Sequence, residues 1–166
     1  RTMAIEEVKA LPVGDLAASD CLLGLWATAP MLPQALEVMA AWDFRYVTMG
    51  AWHKRTVHDK SAFGTGYVLR SACEPFLIGK RGEPVTTRGV RNIVVGRARE
   101  HSRKPDEAFA AAEKLMPDAR RVELLGLVGR TIVAAHYDPA DREDVIELDN
   151  GWRQTYPRHP DPRFCP

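Results

Sequence analysis

The apolar positions change period several times along the chain, and each change marks an element. AIEEVKAL (4–11) has helical spacing, and DLAAS follows it as a second short turn. CLLGLWAT (21–28) is instead an unbroken apolar run closed by Pro30, the pattern of a strand buried on both faces. LPQALEVMAAW (32–42), with Pro33 near its start, sets Leu36, Met39 and Ala40 on one helical face. FRYVTMGAW (44–52) is rich in aromatic and β-branched residues and predicts a strand. HKRTVHDKSAFGTGY (53–67) is polar and Gly-containing. It predicts a loop longer than the roughly 12–15 residues beyond which connections in compact domains are usually functional or disordered.

SACEPFLIGKRG (71–82) predicts a strand ending in a turn, and NIVVGRA (92–98) another. KPDEAFAAAEKLM (104–116) predicts a helix with Phe109, Ala112 and Met116 inward, and RRVELLGLV (120–128) a last strong strand. Strands alternating with helices indicate an α/β sandwich with a largely parallel sheet, whose ligands gather at the carboxyl ends of the strands. Beyond residue 128 the pattern dissolves into scattered charge and a Pro-rich end. The expected organisation is a domain over 1–128 and a poorly ordered extension over 129–166, with at most one strand, from Thr131 to Ala135.

Composition changes this picture little. A chain of 166 residues, 45% hydrophobic and 27% charged, suits one domain with a core that needs no disulfides. No apolar run approaches a membrane span and no secretory leader opens the chain, so no membrane partner is expected. Cys21, Cys73 and Cys165 are odd in number and far apart, which predicts reduced thiols, a cytoplasmic setting and no structural zinc. The net charge of +1 points to no partner, but its distribution is uneven.

Between Lys80 and Lys104 stand eight Lys or Arg residues, Lys80, Arg81, Arg88 and Arg91 among them, against Glu83 and Glu100. Gathered on one sheet edge they would track phosphates; spread out they are a solvated face. Trp52 and Lys54 place an aromatic plane beside a cation, as a stacked base requires, although core aromatics at strand ends are also common. His101, Arg103 and Lys104 precede a helix that Pro105, Asp106 and Glu107 begin, and cations at a helix N-terminus are unfavourable. Glu74 is the complementary anomaly, a carboxylate beside apolar Phe76, Leu77 and Ile78. It needs a partner, which Lys104 or Arg103 could supply, either as a structural ion pair or at the mouth of a ligand site. GTG (64–66) opens no helix and is no dinucleotide fingerprint. His53 and His58 lack a third ligand at useful spacing, so no metal is expected.

Taken in order, RTM (1–3), LPVGDLAASDCLLGLWAT, LPQALEVMAAWDFRY, W-x-K (52–54), GTGYVLRSACEPFLIGKRG (64–82), REHSRKPDEAF (99–109) and RRVEL (120–124) resemble one family. It is the adenine-N6 methyltransferase family of the mRNA adenosine methyltransferase catalytic-subunit type, which includes bacteriophage and prophage DNA methyltransferases. The resemblance runs from Arg1 to about Leu125, with Asp43 where the family usually has Gly.

The resemblance implies a Rossmann-like, S-adenosylmethionine-dependent methyltransferase with helices on both faces of its sheet, incomplete at the N-terminus. The implied reaction moves a methyl group to the exocyclic amine of adenine, a poor nucleophile that must be held in line and kept dry. Glu74 and Lys104 carry over as active-site residues, Ser102, Arg103, Lys104, Glu123 and Leu125 as cofactor contacts. Trp52, Lys54, Lys80, Arg81, Arg88 and Arg91 are the expected nucleic-acid contacts. DNA is expected rather than RNA, and assembly as a homodimer or heterodimer is left open.

Two family elements have no counterpart. The Asp-Pro-Pro-Trp loop that grips the amine is absent: DPAD (138–141) lies at the wrong end, with Ala140 for the second Pro and Asp141 for the aromatic, and DPRF (161–164) lies in the Pro-rich tail. The family's Arg in the last strand is Leu127, and Asn150 is only a faint candidate for its ribose-binding Asn. The sequence alone therefore predicts a fragment inactive by itself. The alternative is a non-catalytic nucleic-acid-binding partner subunit of an active methyltransferase. A hydrolase is disfavoured, because no G-x-S-x-G elbow occurs.

Overall fold

A computed structural model describes residues 3–66, 68–98, 104–122, 132–138, 143–148 and 153–157. Two compact units emerge, one over Ala18–Pro117 and the other combining Arg1–Ala17 with Asp118–Pro166. The second unit holds two short helices, α1 (Ile5–Lys9) and α2 (Val13–Leu16). The first holds strands β1 (Cys21–Trp26), β2 (Arg45–Arg55), β3 (Cys73–Arg81) and β4 (Ile93–Arg97), with helices α3 (Leu32–Ala41) and α4 (Asp106–Leu115).

The four strands form one sheet in the order β1-β3-β2-β4. β3 is antiparallel to both β1 and β2, while β2 and β4 are parallel. The sheet is therefore mixed, where strand–helix alternation predicts a largely parallel one. The reason lies in the connection between β2 and β3. No helix crosses there, and a chain that turns straight back can only pair antiparallel. β1, β2 and β4 still run the same way, so their carboxyl ends collect at one end of the sheet, beside the beginning of β3.

Helix α3 buries Ala35, Val38 and Met39, followed by Trp42 and Phe44. The buried face is thus one position off the predicted Leu36–Met39–Ala40 set, and Leu36 and Ala40 are exposed. An i, i+3, i+4, i+7 spacing fits both sets until packing chooses. Gly79 lets the helix seat closely, since a Cβ there would lie 2.7 Å from the Met39 sulfur.

The helix ends in a Schellman arrangement. Asp43 N–H donates to the Ala40 carbonyl and Phe44 N–H to the Met39 carbonyl, both at 3.0 Å, with Asp43 at φ +63°. A left-handed residue here is most often Gly, because the Cβ of other residues is strained there. Asp43→Gly is accordingly expected to raise stability by about 0.5–1 kcal/mol, the loss of the exposed Asp43–Arg81 pair offsetting part of the gain. Thermal denaturation of the two chains checks this, and a lower midpoint for the glycine chain would contradict it.

Helix α4 follows Pro105, which stands at the N-cap rather than at the first helical position, with Asp106 and Glu107 in the first turn. Its shielded side is Ala108, Ala111 and Leu115; Phe109 and Ala112 point outward, contrary to the predicted inward set, and Met116 lies just past the last turn. The helix lies over β4, where a Cβ on Gly96 would come 2.7 Å from Pro105 Cβ.

In the other unit, β5 (Ile132–Asp138), β6 (Glu143–Leu148) and β7 (Arg153–Pro157) make an antiparallel three-stranded sheet. At most one strand is expected there from sequence. Short antiparallel strands need no continuous apolar run, so scattered charge conceals them. Of the last strand predicted over 120–128, residues 120–122 are irregular and the rest lies outside the described residues.

Candidate functional site

Strand periodicity sets Trp52 and Lys54 on the same face of β2, two residues apart. The β2–β3 register pairs Trp52 with Glu74, so Lys54 and Glu74 become neighbours at the end of the sheet where β2 finishes and β3 begins. The chain leaving β4 returns to the same place through Lys104, just ahead of α4. Glu74 lies between the two lysines. Its Oε2 accepts from Lys54 Nζ at 2.9 Å, and its Oε1 accepts from Lys104 Nζ.

Aromatic rings form the floor. The Lys104 ammonium lies 5.0 Å from the centre of the Trp26 ring and that of Lys54 lies 4.9 Å from Trp52. Trp26 meets Trp52 edge to face at 6.3 Å and Phe76 at 5.0 Å. Trp52 is only 3% exposed and its indole N–H donates to the Gly96 carbonyl at 2.9 Å. It supports Lys54 from beneath, and the ring nearer solvent is Trp26, under Lys104. An unbroken apolar run marks no position as special, so the sequence does not single out Trp26; its place as the last residue of β1 does.

The cluster is graded in depth: the side chain of Lys104 is 8% exposed, Glu74 18% and Lys54 30%. Burial alone would push the Glu74 carboxyl upward. Hydrogen bonds from Lys104 and then Lys54, with their charges, outweigh it and hold the carboxyl below the usual carboxylate value. One carboxylate against two ammonium groups leaves a single surplus positive charge. That surplus, above an aromatic floor, suits an anionic group. It also accounts for a cation at the start of α4: Lys104 is spent on Glu74 rather than on the helix end.

The remaining expected site residues are dispersed. Lys80 and Arg81 sit at the far end of β3, about 20 Å from Glu74 by strand rise. Lys80 pairs with Glu83 at 2.5 Å, and Arg81 pairs with Asp43 at 3.3 Å and stacks on Phe44. Arg88 and Arg91 are exposed between β3 and β4, and Arg91 lines an open groove of about 300 Å³ with Ile93, Val95 and Lys114. Of the basic stretch, Lys80, Arg81, Arg88 and Arg91 thus do not gather with Lys104 at the cluster. Ser102, Arg103, Glu123 and Leu125 lie outside the described residues. His53 Nε2 is 2.9 Å from Ser61 Oγ and His58 is exposed. Among the described residues no group of three or more His, Cys, Asp or Glu side chains could hold a metal, and no helix is long and apolar enough to cross a membrane.

Comparison with known proteins gives this geometry its context. The MT-A70 family model matches residues 1–138, continuing past Leu125 where the motif resemblance stops. An N(6)-adenosine-methyltransferase MT-A70-like protein of Arabidopsis thaliana is 34% identical over 126 residues, 74% of this chain and 18% of that protein. The type II methyltransferase M.MunI of Mycoplasma sp is 30% identical over 127 residues, 74% of this chain and 52% of that enzyme. The Homo sapiens N(6)-adenosine-methyltransferase catalytic subunit METTL3 is 29% identical over 129 residues, 75% of this chain and 22% of that protein. The chain therefore spans between about a fifth and a half of these relatives.

Proposed function

The chain belongs to the MT-A70 family, and on that premise we propose that it serves S-adenosylmethionine-dependent methyl transfer to the exocyclic amine of adenine in DNA. The proposed frame is a Rossmann-like methyltransferase sheet. The observation that carries this reading is Glu74 held between Lys54 and Lys104 where β1, β2 and β4 end.

The donor set fits the anionic parts of both reactants, the amino-acid carboxylate of the cofactor and a nucleotide phosphate. S-adenosylmethionine, when bound, supplies an electrophilic methyl group. Lys104, the deeper lysine, is assigned to the cofactor side together with Ser102, Arg103, Glu123 and Leu125. Lys54, the more exposed one, is assigned to nucleic acid, with Trp52 supporting it from below and Lys80, Arg81, Arg88 and Arg91 as outlying contacts. Glu74 fixes where both ammonium groups stand. Trp26 and Phe76 keep water from beneath the site, which strengthens every charge interaction above them. DNA is favoured because M.MunI, a type II methyltransferase, is the named relative of which this chain covers half.

The sequence contains no Asp-Pro-Pro-aromatic element to hold the amine. Turnover is expected only when that element is supplied, so binding is the direct test. Calorimetric titration of S-adenosylmethionine is expected to show micromolar-range affinity, weakened at least about tenfold in Lys104→Ala. A folded chain that gives no heat would end the cofactor assignment. Salt-dependent DNA binding under the same conditions would then support a non-catalytic nucleic-acid-binding subunit instead.

A further inference from the structure

The connection between β2 and β3 joins two members of the cluster directly: it leaves the sheet just after Lys54 and Arg55 and re-enters just before Glu74. Its base is firmly tied. Lys54 N–H donates to the Ala72 carbonyl at 3.0 Å, Ala62 N–H to the Lys54 carbonyl at 2.8 Å and Gly64 N–H to the Ser71 carbonyl at 2.9 Å. Arg55 holds Asp59 at 3.0 Å within the loop.

Beyond this base the loop does what soluble surfaces avoid. Val68 is 94% exposed, Leu69 81% and Phe63 66%, all on one short excursion beside a positively charged site. Arg70 lies with its guanidinium 5.3 Å from the centre of the Phe63 ring, so the apolar tip carries its own cation. Apolar side chains beside basic groups are what enters a base stack, since they fill the space between bases while the cations meet the backbone. An adenine in a duplex cannot be reached unless it leaves the stack, and the gap it leaves must be occupied.

We propose that Val68 and Leu69, backed by the Phe63–Arg70 pair, form a wedge that enters the DNA stack beside the nucleotide presented to the Glu74 cluster. The proposal rests on the nucleic-acid part of the function above. It favours DNA over a protein partner because the loop starts and ends at that cluster and carries a stacked arginine at its tip.

The test is binding of the full chain, without cofactor, to a labelled DNA duplex with one unpaired nucleotide and to the fully paired duplex of the same sequence. The parent chain is expected to prefer the opened duplex by roughly tenfold, because part of the unstacking has already been done. In Val68→Ser/Leu69→Ser the preference should shrink to within about twofold, with the dependence of affinity on salt unchanged because no phosphate contact is lost. Lys54→Ala should do the opposite, keeping the preference and lowering the salt slope by about one. Both serines fall on exposed positions, and circular dichroism confirms the fold. A preference that survives in the double variant, or is missing in the parent, overturns the wedge. So does a variant that changes only self-association in sedimentation, which would make the tip a protein interface. Cofactor binding by a chain that shows no duplex preference would remove the wedge and leave the methyltransferase reading standing.

Discussion

Replacing Glu74 with alanine is expected to lower the free energy of unfolding by about 2–3 kcal/mol, because it leaves two ammonium groups facing each other with no carboxylate between them. Lys104 bears most of this. Its side chain is 8% exposed and cannot turn to water as Lys54 can. The loss should depend on pH in a defined direction. Burial raises the Glu74 carboxyl, but the lysine hydrogen bonds more than offset that, so its folded pKa lies below the ordinary 4.5. Its stabilising charge is complete above that value and drains away as pH falls through the folded one. Urea denaturation at pH 7 should therefore separate the parent from Glu74→Ala most widely, with the gap narrowing toward pH 3. Glu74→Gln, which keeps the shape and loses the charge, should lie between them at pH 7. A gap of under about 1 kcal/mol, or one indifferent to pH, would mean that the carboxylate matters only for packing.

Gly50→Ala should be about as damaging, again some 2–3 kcal/mol, for a reason unrelated to charge. A Cβ at Gly50 would stand 2.2 Å from Phe76 Cζ and 2.6 Å from the Asn92 carbonyl oxygen. The ring could swing aside, but only by disturbing its contact with Trp26. The carbonyl cannot, because it accepts from Ala51 N–H at 2.9 Å and holds the start of β4 to β2. Gly79→Ala is the informative control. There the nearest atoms belong to the Met39 thioether chain, which is flexible, and the loss should be smaller. Equal losses at the two glycines would show that the Asn92 carbonyl yields more easily than its hydrogen bond suggests.

The parts of the site legible in sequence were those that violate a rule. A carboxylate among apolar neighbours demanded a cation, and Lys104, itself misplaced at a helix start, provides it. The sequence does not mark Lys54 as a second partner, because the strand pattern stops at Trp52, whereas β2 runs to Arg55 and carries Lys54 onto the same face as Glu74. The convergence of strand ends does not depend on a fully parallel sheet. β3 is reversed, yet the strands on either side of it and β4 keep one direction, so the carboxyl ends still converge. What periodicity could not decide was which of two overlapping helical faces packs, as Leu36 and Phe109 show, or that charged segments after residue 128 pair as strands. Those outcomes depend on partners distant in sequence.

The reversed strand also orders events during synthesis. β1 is made before β2, but among the described residues its neighbour in the sheet is β3. Until residues 73–81 are available, CLLGLW lacks its β3 partner, and β2 lacks β3 and β4 alike. Chains interrupted before Arg81 would therefore carry β1 and β2 without the β3 that pairs them here, one of the two almost wholly apolar, and would be prone to aggregate. The same strand that brings Glu74 to the lysines is the one on which half the sheet waits to form.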